Sequence, residues 1–430
     1  MENPIHHIHN GTQNLAFSIP DATYLDTLDI AQSPPLPDPI STLKESLANP
    51  IGLPSHAFTA FKPSDTVAIV VSDSFRETRV DVLLPTILDQ LNDHGIAPEN
   101  ISITFSTGTH RPPTQTETIQ ILGPEIAHSF QNRIHQHDSN DTQELVSIGT
   151  TTRGTPVEVN KRVEQSDRII LTGNVVLHYF GGFGGGRKSL VPGLASTKTI
   201  AHNHAMNLHP TEDTLDPNVK IGHIKSNPVA EDMLEATLLS HVDCIINTIL
   251  NSKNHVTQIF TGDLILAHEA ACISAYDTFT TPITERADLV IASSPSTKNF
   301  VQTHKALFNA YQAVKPLGLI IMLAPCPEGI GGEQFEKWLR LGDRASIIAG
   351  LRIQSEINGQ TALSTREKAP IMHIVTSMND DQIDLLGATK AQDLDSAIEA
   401  ALADLANSGI QNPTYRIMPN AAYTVPVPAS

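Results

Sequence analysis

A glycine-rich stretch with two adjacent cations is the most chemically distinctive part of the sequence. It reads HYFGGFGGGRKSLVPG and covers His178–Gly193. Closely spaced glycines let backbone N–H groups approach a ligand, while Arg187 and Lys188 add positive charge beside them. The loop therefore favours an anion. It is not a Walker A motif, because Arg187 stands where that motif has a glycine, and no register fits the Rossmann fingerprint.

Histidines accompany this loop and a second polar segment. His110 lies in TGTHRPP, His178 begins the glycine loop, and His202, His204 and His209 follow it. Imidazoles titrate near neutrality, which suits them to acid–base catalysis. Residues two apart do not share a helical face, so a metal clamp made of two histidines on one helix is not predicted. Either His202 or His204 could still be a single metal ligand.

Cationic side chains form a third feature. Arg76 follows Asp73 in the sequence DSFRETR, and Gln302 lies three residues before Lys305. That spacing places Gln302 and Lys305 on one face at the start of a helix, where the helix dipole favours a carboxylate or phosphate. An ordinary helix N-terminus fits the same pattern equally well.

The elements that must position these residues read as an α/β fold. Short β-branched runs with apolar residues on both faces alternate with amphipathic helical patterns, which predicts mainly parallel sheets. The predicted strands are Thr66–Ser72, Asn100–Ser106, Arg168–Gly173, Asp243–Leu250, Ala287–Ser293, Leu319–Ala324 and Ile371–Ser377. The predicted helices are Val80–Asp93, Pro228–Ser240, Lys305–Val314, Gln334–Gly342 and Leu394–Asn407.

Polar segments follow five of these strands directly. Ligands bind outside the carboxyl ends of strands in open α/β sheets, so we expect the segments to converge on one mouth. They are Asp73–Arg79, Thr107–Pro113, Asn174–Gly186, Ser293–Lys305 and Ala324–Gly332.

Length and composition set the frame. A chain of 430 residues is too long for one core, and we predict domains at 1–277 and 278–430, with the boundary at the Thr/Pro stretch Thr278–Glu285. A net charge of −18 excludes a general nucleic-acid binder. Cys244, Cys272 and Cys326 are not closely spaced, which argues against disulfides and a cysteine metal cluster.

Targeting signals are not evident in the sequence. No apolar run approaches the roughly 20 residues of a membrane helix. The first residues, MENPIHHIHNG, have neither the basic nor the apolar region of a signal peptide. We therefore expect a cytoplasmic protein without a membrane partner.

Taken together, the motifs resemble those of the nickel-pincer lactate racemases. The resemblance covers most of the chain. It rests on SDSFR, STGTHRP, HYFGGFGGGRKSLVPG, the NH at Asn203–His204, NFVQTHKAL and PEGIGG, in that order. Lys188 follows His178 by ten residues and precedes His204 by sixteen, as in the family.

The resemblance implies two α/β domains with the active site in the cleft between them. It also implies a nickel–pyridinium-3,5-bisthiocarboxylate mononucleotide, loaded by its own biosynthetic enzymes, in which two sulfurs and a ring carbon hold the nickel. By resemblance, Lys188 tethers this cofactor through a thioamide, and His204 is the remaining nickel ligand. Asp73, Ser74, Phe75 and Arg76 help to seat the nucleotide.

The same resemblance implies racemisation or epimerisation of a 2-hydroxy acid, with His110 and His178 as the two acid/base residues. Arg76, Gln302 and Lys305 then hold the substrate carboxylate. The chemistry is consistent with these residues. The Cα–H is very weakly acidic, and hydride transfer avoids a carbanion. Attack on both faces of one carbon needs a base on each side.

The sequence departs from the family pattern near the substrate. Val301 replaces a common aromatic residue, and His304 lies beside Lys305. A smaller Val301 favours a larger 2-hydroxy acid, such as an aldonate, as an alternative substrate. Two other functions stay open: a phosphate-handling transferase or hydrolase that uses the glycine loop, and a binding protein without turnover.

Overall fold

The computed structural model describes residues 4–30 and 33–429. The chain forms two compact units, each with its own sheet. The central unit is Gln32–Asp277, and the terminal unit combines Met1–Ala31 with Thr278–Ser430.

Strands and helices alternate along both units. In chain order the strands are β1 His6–Asn10, β2 Gln13–Phe17, β3 Thr23–Thr27, β4 Val67–Ser72, β5 Ile101–Ser106, β6 Ile134–Gln136, β7 Leu145–Thr150, β8 Pro156–Asn160, β9 Arg168–Asn174, β10 Leu177–His178, β11 Gly182–Phe183, β12 Val242–Leu250, β13 Val256–Gly262, β14 Thr280–Ile283, β15 Ala287–Ser293, β16 Val314–Leu323, β17 Met372–Val375, β18 Thr389–Ala391, β19 Thr414–Met418 and β20 Val425–Pro428. The helices are α1 Pro39–Ala48, α2 Val80–Asp93, α3 Gln115–Leu122, α4 Pro124–Ser129, α5 Lys161–Glu164, α6 Thr197–Ala205, α7 Pro228–Leu238, α8 Leu266–Phe279, α9 Phe300–Ala313, α10 Glu333–Leu339, α11 Arg344–Ile353, α12 Ile357–Lys368, α13 Asp380–Leu386 and α14 Leu394–Asn407.

The central unit is built on a sheet of order β13-β12-β9-β4-β5-β6. All pairs are parallel except β12 with β13. Strand β4 is buried along its whole length, as expected of a parallel strand covered on both faces. The apolar faces of α1 and α2 pack against it, with Leu43, Leu84 and Ile87 in the same core as Ile69.

The terminal unit has a parallel sheet of order β18-β17-β16-β15-β19-β3. Strand β3 comes from the start of the chain, where Tyr24 pairs with Tyr415 of β19. The β1–β2 hairpin also belongs here, because Ile8 and Phe17 pack in the core that contains Leu289 and Ile291. The first 31 residues therefore belong with 278–430, whereas the sequence division had placed them with the N-terminal domain. β3 and β19 are separated by almost the whole chain, so no local sequence pattern could predict that they pair.

Predicted and observed elements agree best where an amphipathic run is long. The helices Val80–Asp93 and Leu394–Asn407 and the strand Ala287–Ser293 have the predicted bounds. Helix α9 begins at Phe300 rather than Lys305, because the side chain of Asn299 caps it. The boundary stretch Thr278–Glu285 is not a plain linker, since it contains β14, which pairs with β20. No helix in the described part of the chain is long and apolar enough to cross a membrane.

A buried carboxylate connects α6 and α7 to the β7–β8 hairpin. Asp232 of α7 is fully buried. It accepts hydrogen bonds from Thr151 Oγ1 (2.6 Å), Thr155 Oγ1 (2.9 Å) and Asn203 Nδ2 (2.9 Å). Three donors offset the cost of burying the carboxylate. Asp232 thus fixes α6, the helix that carries His204.

We predict that Asp232→Ala lowers the free energy of unfolding by about 3 kcal/mol, because three buried donors lose their acceptor. Urea denaturation followed by circular dichroism measures the change. Glu231→Ala is the matched control on the same helix. It removes a half-exposed ion pair with Arg153 and should cost only about 0.5 kcal/mol. Equal losses in the two variants would contradict this account.

Candidate active site

The carboxyl ends of β4, β5 and β9 meet at one edge of the central sheet. Ser72 of β4 pairs with Ser106 of β5, and Val70 pairs with Leu171 of β9. The chain order reverses at β4, since β5 and β6 lie on one side of it and β9 and β12 on the other. In open α/β sheets, this switch point is where ligands bind.

Three of the five predicted polar segments leave this edge, namely 73–79, 107–113 and 174–186. The segment after β4 crosses to β12, where Thr248 Oγ1 donates to Thr78 O at 3.1 Å. The remaining segments, 293–305 and 324–332, follow β15 and β16 of the terminal sheet. The five segments therefore form a group of three and a group of two.

An aspartate–histidine pair joins the segments that follow β4 and β5. His110 Nδ1 lies 2.6 Å from Asp73 Oδ2, and Asp73 is 1% exposed. The other carboxylate oxygen, Oδ1, accepts from Phe75 N at 3.0 Å. Because an ionised carboxylate only accepts, the proton of this pair lies on His110 Nδ1. Nε2 is then the nitrogen that exchanges a proton, and Asp73 supplies the counter-charge for an imidazolium.

The Phe75 ring lies beside His110. The rings of Phe75 and His110 are 4.9 Å apart between centroids, and the Arg111 guanidinium lies 5.1 Å from the centre of the Phe75 ring. Ser74 Oγ is buried and has no hydrogen-bond partner among the described residues. Arg76 is exposed, and its backbone N–H closes a turn on Asp73 O.

The glycine loop folds back on itself in a short hairpin, in which His178 pairs with Gly182. Gly182 and Gly186 both have positive φ, +74° and +52°. A Cβ would lie 2.1 Å from His223 O at the first and 2.5 Å from His268 Cδ2 at the second. Only glycine avoids both the strain and the overlap.

Backbone N–H groups of the loop donate within the protein. Phe183 N donates to Gly181 O and Gly184 N to Val176 O, at 2.9 and 2.8 Å. Gly186 N donates to Asn247 Oδ1 at 3.0 Å. These donors do not point at a common anion. The loop thus supports its own conformation rather than the phosphate cradle of the alternative function.

The loop brings His178 and Lys188 together. His178 Nδ1 accepts from Phe180 N and Gly181 N at 3.4 and 3.3 Å. A Cβ on Gly181 would lie 3.2 Å from Lys188 Nζ and 3.7 Å from His178 Nδ1. The amine and the imidazole therefore lie against the same glycine.

The Phe180 ring lies close to three of the predicted site residues. Its ring centre lies 4.5 Å from that of His178, 4.7 Å from that of His204 and 5.3 Å from Lys188 Nζ. Asn227 Nδ2 fixes this residue by donating to Phe180 O at 2.8 Å. One aromatic ring thus gathers three of the residues identified from the sequence.

His204 is the buried member of the histidines after the loop. It is 2% exposed, whereas His202, two residues earlier on α6, is exposed. Burial, with the charge of Lys188 as a second cause, lowers the pKa of His204 to about 3. The ring is therefore neutral near pH 7, which is the protonation state in which an imidazole can bind a metal. His209 instead orders a turn, because its Nδ1 accepts from Glu212 N at 3.1 Å.

Arg187 is a buried cation that contacts the backbone of the glycine loop. Arg187 is 3% exposed; its Nη1 donates to His268 Nδ1 at 3.2 Å and its Nη2 to Gly181 O at 3.0 Å. His268 Nε2 donates in turn to Gly184 O at 2.9 Å. Burial lowers the pKa of Arg187 to about 10, so the guanidinium stays charged at neutral pH. Within the described residues, no carboxylate forms an ion pair with it.

The other predicted substrate residues belong to the terminal unit. Gln302 and Lys305 lie in the first turns of α9, and Gln302 N donates to the capping Asn299 Oδ1 at 3.1 Å. Val301 Cγ2 is 2.5 Å from where a Cβ on Gly331 would lie, so this valine packs against the PEGIGG turn. His304 is fully buried, and burial lowers its pKa to about 3, with the charges of Lys368 and Lys305 as further causes.

The structure thus brings together two groups of the predicted residues, Asp73, Phe75 and His110 on one side and His178, Lys188 and His204 on the other. Two residues were missed as members of the site. Phe180 was noted only as part of the glycine motif, and its position directly before Gly181 and Gly182 was the available signal. His268 is 81 residues beyond Arg187, and nothing in the sequence connects them.

The chain is similar to known proteins in both sequence and structure. The lactate racemase N-terminal domain matches residues 10–215, and the lactate racemase C-terminal domain matches residues 283–412. The lactate racemase of Thermoanaerobacterium thermosaccharolyticum is 31% identical over 301 residues, which are 69% of this chain and 68% of that protein. The chain belongs to the lactate racemase family. The lactate racemase of Lactiplantibacillus plantarum is 32% identical over 298 residues, 68% of each protein.

The structural comparison agrees with a lactate racemase fold. The lactate racemase apoprotein of T. thermosaccharolyticum has a TM-score of 0.86 at 24% identity, covering 99% of this chain and 100% of that one. A Thermotoga maritima protein has a TM-score of 0.69 at 16% identity, covering 93% of this chain and 100% of that one. The family identified from the motifs and the α/β fold with mainly parallel sheets are both confirmed. As a lactate racemase family member, the chain is an isomerase.

We predict that His268 makes stability depend on pH. Burial, and then the charge of Arg187, lowers the pKa of His268 to about 3. Below pH 6.5 the unfolded chain binds a proton that the folded chain does not, so the free energy of unfolding falls as the pH falls. His268→Gln can keep both hydrogen bonds but cannot protonate. Relative to wild type, it should gain about 2 kcal/mol between pH 6.5 and 5.

Urea denaturation at several pH values measures this difference. Thr237→Val is the control, because it removes a buried hydrogen bond to Arg187 O without removing a titratable group. Its effect should be the same at every pH. A constant difference between His268→Gln and wild type would show that His268 titrates with the same pKa in the folded and unfolded states, and would contradict this prediction.

Proposed function

We propose that the chain interconverts the two configurations at C2 of a 2-hydroxy acid such as lactate, by reversible hydride transfer to a tethered nickel-pincer nucleotide. The observation that supports this most is the grouping of Lys188, His178 and His204 around the Phe180 ring. The phosphate-handling alternative is disfavoured, because backbone N–H groups of the glycine loop donate within the protein. A binding protein has no use for an aspartate-held histidine such as His110.

The residues of the central unit fit such a cofactor. His204 offers a neutral imidazole nitrogen, a donor that suits nickel. Lys188 Nζ lies beside Gly181, 3.2 Å from where a Cβ would be. An amine at this position can form a covalent link. Among the described residues, no three His, Cys, Asp or Glu side chains are grouped to hold a metal. A nickel ion held by His204 would therefore take its other donors from the cofactor.

When bound, such a cofactor would supply reversible hydride-transfer chemistry at C2 of the substrate. His110 and His178 carry the hydroxyl proton. Asp73 holds the His110 Nδ1–H, so His110 exchanges a proton at Nε2. His178 is oriented differently, by backbone N–H groups at its Nδ1. Ser74, whose hydroxyl has no partner in the described part of the chain, is available to a ligand together with Asp73, Phe75 and Arg76.

Substrate binding is assigned to Arg76, Gln302 and Lys305, by resemblance to the family. Two cations and an amide would hold the carboxylate while the planar 2-oxo acid turns over. Loading would need cofactor-biosynthesis enzymes as partners.

The decisive experiment uses protein made in a host with those enzymes. Single enantiomers of lactate, 2-hydroxybutyrate and aldonates, deuterated at C2, are incubated with it in ordinary water, and chiral chromatography with mass spectrometry follows the products. We expect the opposite configuration with deuterium retained, because a hydrogen transferred as hydride does not pass through a form that exchanges with water. Loss of deuterium would indicate proton abstraction, and no inversion of any substrate would refute the proposal.

His110→Gln and His178→Gln should each lower kcat by about 10²–10⁴ while the adduct at Lys188 persists in the intact mass. His202→Gln, at the exposed position on α6, is the matched control and should leave kcat unchanged. A near-normal rate in either of the first two variants would remove that histidine from its role.

Lys305→Ala should raise KM about tenfold with a smaller effect on kcat, because it removes a cationic partner of the carboxylate. Steady-state kinetics on each enantiomer measure both constants. Lys337→Ala removes an exposed cation of the same unit and should change neither. An unchanged KM in Lys305→Ala would move Lys305 out of the substrate site.

A further inference from the structure

Arg187 is a buried cation that has no ion-pair partner among the described residues. Its guanidinium donates to a neutral imidazole and to a carbonyl oxygen, and its Nε is buried without a hydrogen-bond partner among the described residues. Burying a charge without an opposite charge is costly, and proteins normally pair it. The cost persists in the folded protein unless a ligand offsets it.

The charged groups around Arg187 do not supply that offset. His268 accepts from the guanidinium and is neutral near pH 7. Lys188 is a second cation on the same loop, and burial raises the pKa of the Cys272 thiol, beside His268, to about 12. None of these three groups carries a negative charge near pH 7.

The buried carboxylates of the central unit that hold the loops and helices of this site are hydrogen-bonded to other groups. Asp73 is held by His110 and by Phe75 N. Asp232, on the helix that packs on this loop, is held by three donors from the β7–β8 hairpin and α6. Neither forms an ion pair with Arg187. Glu269 of α8 raises the pKa of Cys272 through its charge, yet it does not contact the guanidinium either.

We infer that Arg187 makes the pocket at Lys188 selective for a doubly anionic aromatic ligand, with His268 as the residue that positions the guanidinium. The inference rests on the proposed function, because the ligand class is that of the cofactor ring with its two acidic substituents. Arg187 acts through its field rather than by contact. It is fixed against Gly181 O, on the residue that also lies against Lys188 Nζ. In a buried site of low dielectric, such a charge is weakly screened.

His268 is suited to that positioning role. Its Nδ1 accepts from Arg187 while its Nε2 donates to Gly184 O, so one ring joins the guanidinium to the loop backbone. A glutamine side chain offers an acceptor and a donor in the same order. His268→Gln should therefore preserve the pocket, whereas His268→Leu should not.

The test measures reversible binding to the full-length chain made without the cofactor enzymes. Two probes of the same shape are compared by calorimetry, pyridine-3,5-dicarboxylate and the uncharged pyridine-3,5-dicarboxamide. Wild type should bind the dicarboxylate at least tenfold more tightly. Arg187→Gln should lose that preference and keep its affinity for the diamide. Arg187→Lys, which retains the charge, should keep most of the preference.

Each outcome decides the matter. Equal binding of the two probes by wild type, or an undiminished preference in Arg187→Gln, would overturn the inference. A parallel loss for both probes would assign Arg187 a purely structural role and overturn it as well. If Arg187→Gln does not fold, the wild-type preference and the pair His268→Gln and His268→Leu decide, with retention expected in the first and loss in the second.

Failure here differs from failure of the proposed function. A charge preference without racemisation would leave the inference standing and refute the reaction. Racemisation with equal binding of the two probes would leave the reaction standing and refute the role of Arg187.

Discussion

The site depends on one constraint, the close packing of the glycine loop. The loop packs against His223 O, the His268 ring and the Asn247 side chain. At Gly182 and Gly186 any Cβ would overlap His223 O or the His268 ring, and both residues have positive φ. Gly186 N also donates to Asn247 of β12, so the loop is held to the sheet edge from which it came. The loop is therefore closely packed at this sheet edge, where it carries Phe180 and Lys188.

Charge is distributed in a way that suits this geometry. The chain carries a net charge of −18, yet the interior of the site holds Arg187 and Lys188. The carboxylates that reach the edge are used locally, Asp73 to orient a histidine and Asp232 to fix a helix. An acidic protein thus buries two cationic side chains of its glycine loop, which favours a small anionic ligand there. His268 is neutral near pH 7 and adds no further positive charge beside Arg187.

Sequence reasoning succeeded where chemistry and local pattern coincide. His110 and His178 follow strands, and the strands were visible as β-branched runs, so their placement at one sheet edge followed from the α/β pattern. The Gln302–Lys305 spacing likewise gave a shared helical face. Sequence reasoning failed where partners are far apart in the chain. His268 contacts Arg187, and β3 pairs with β19, through packing between distant elements. No local sequence pattern predicts either contact.

The two proposed bases are held by unlike partners, and this asymmetry has a thermodynamic limit. His110 is paired with a carboxylate, whereas His178 is oriented by peptide N–H groups. The two residues therefore need not share protons equally, and kcat and KM can differ between enantiomers. Enantiomers have equal free energies, however, so kcat/KM must be the same in both directions for lactate. For an aldonate the two epimers differ in free energy, and the ratio departs from unity. Unequal bases thus set how the barrier is divided between binding and turnover, while the substrate alone sets the equilibrium.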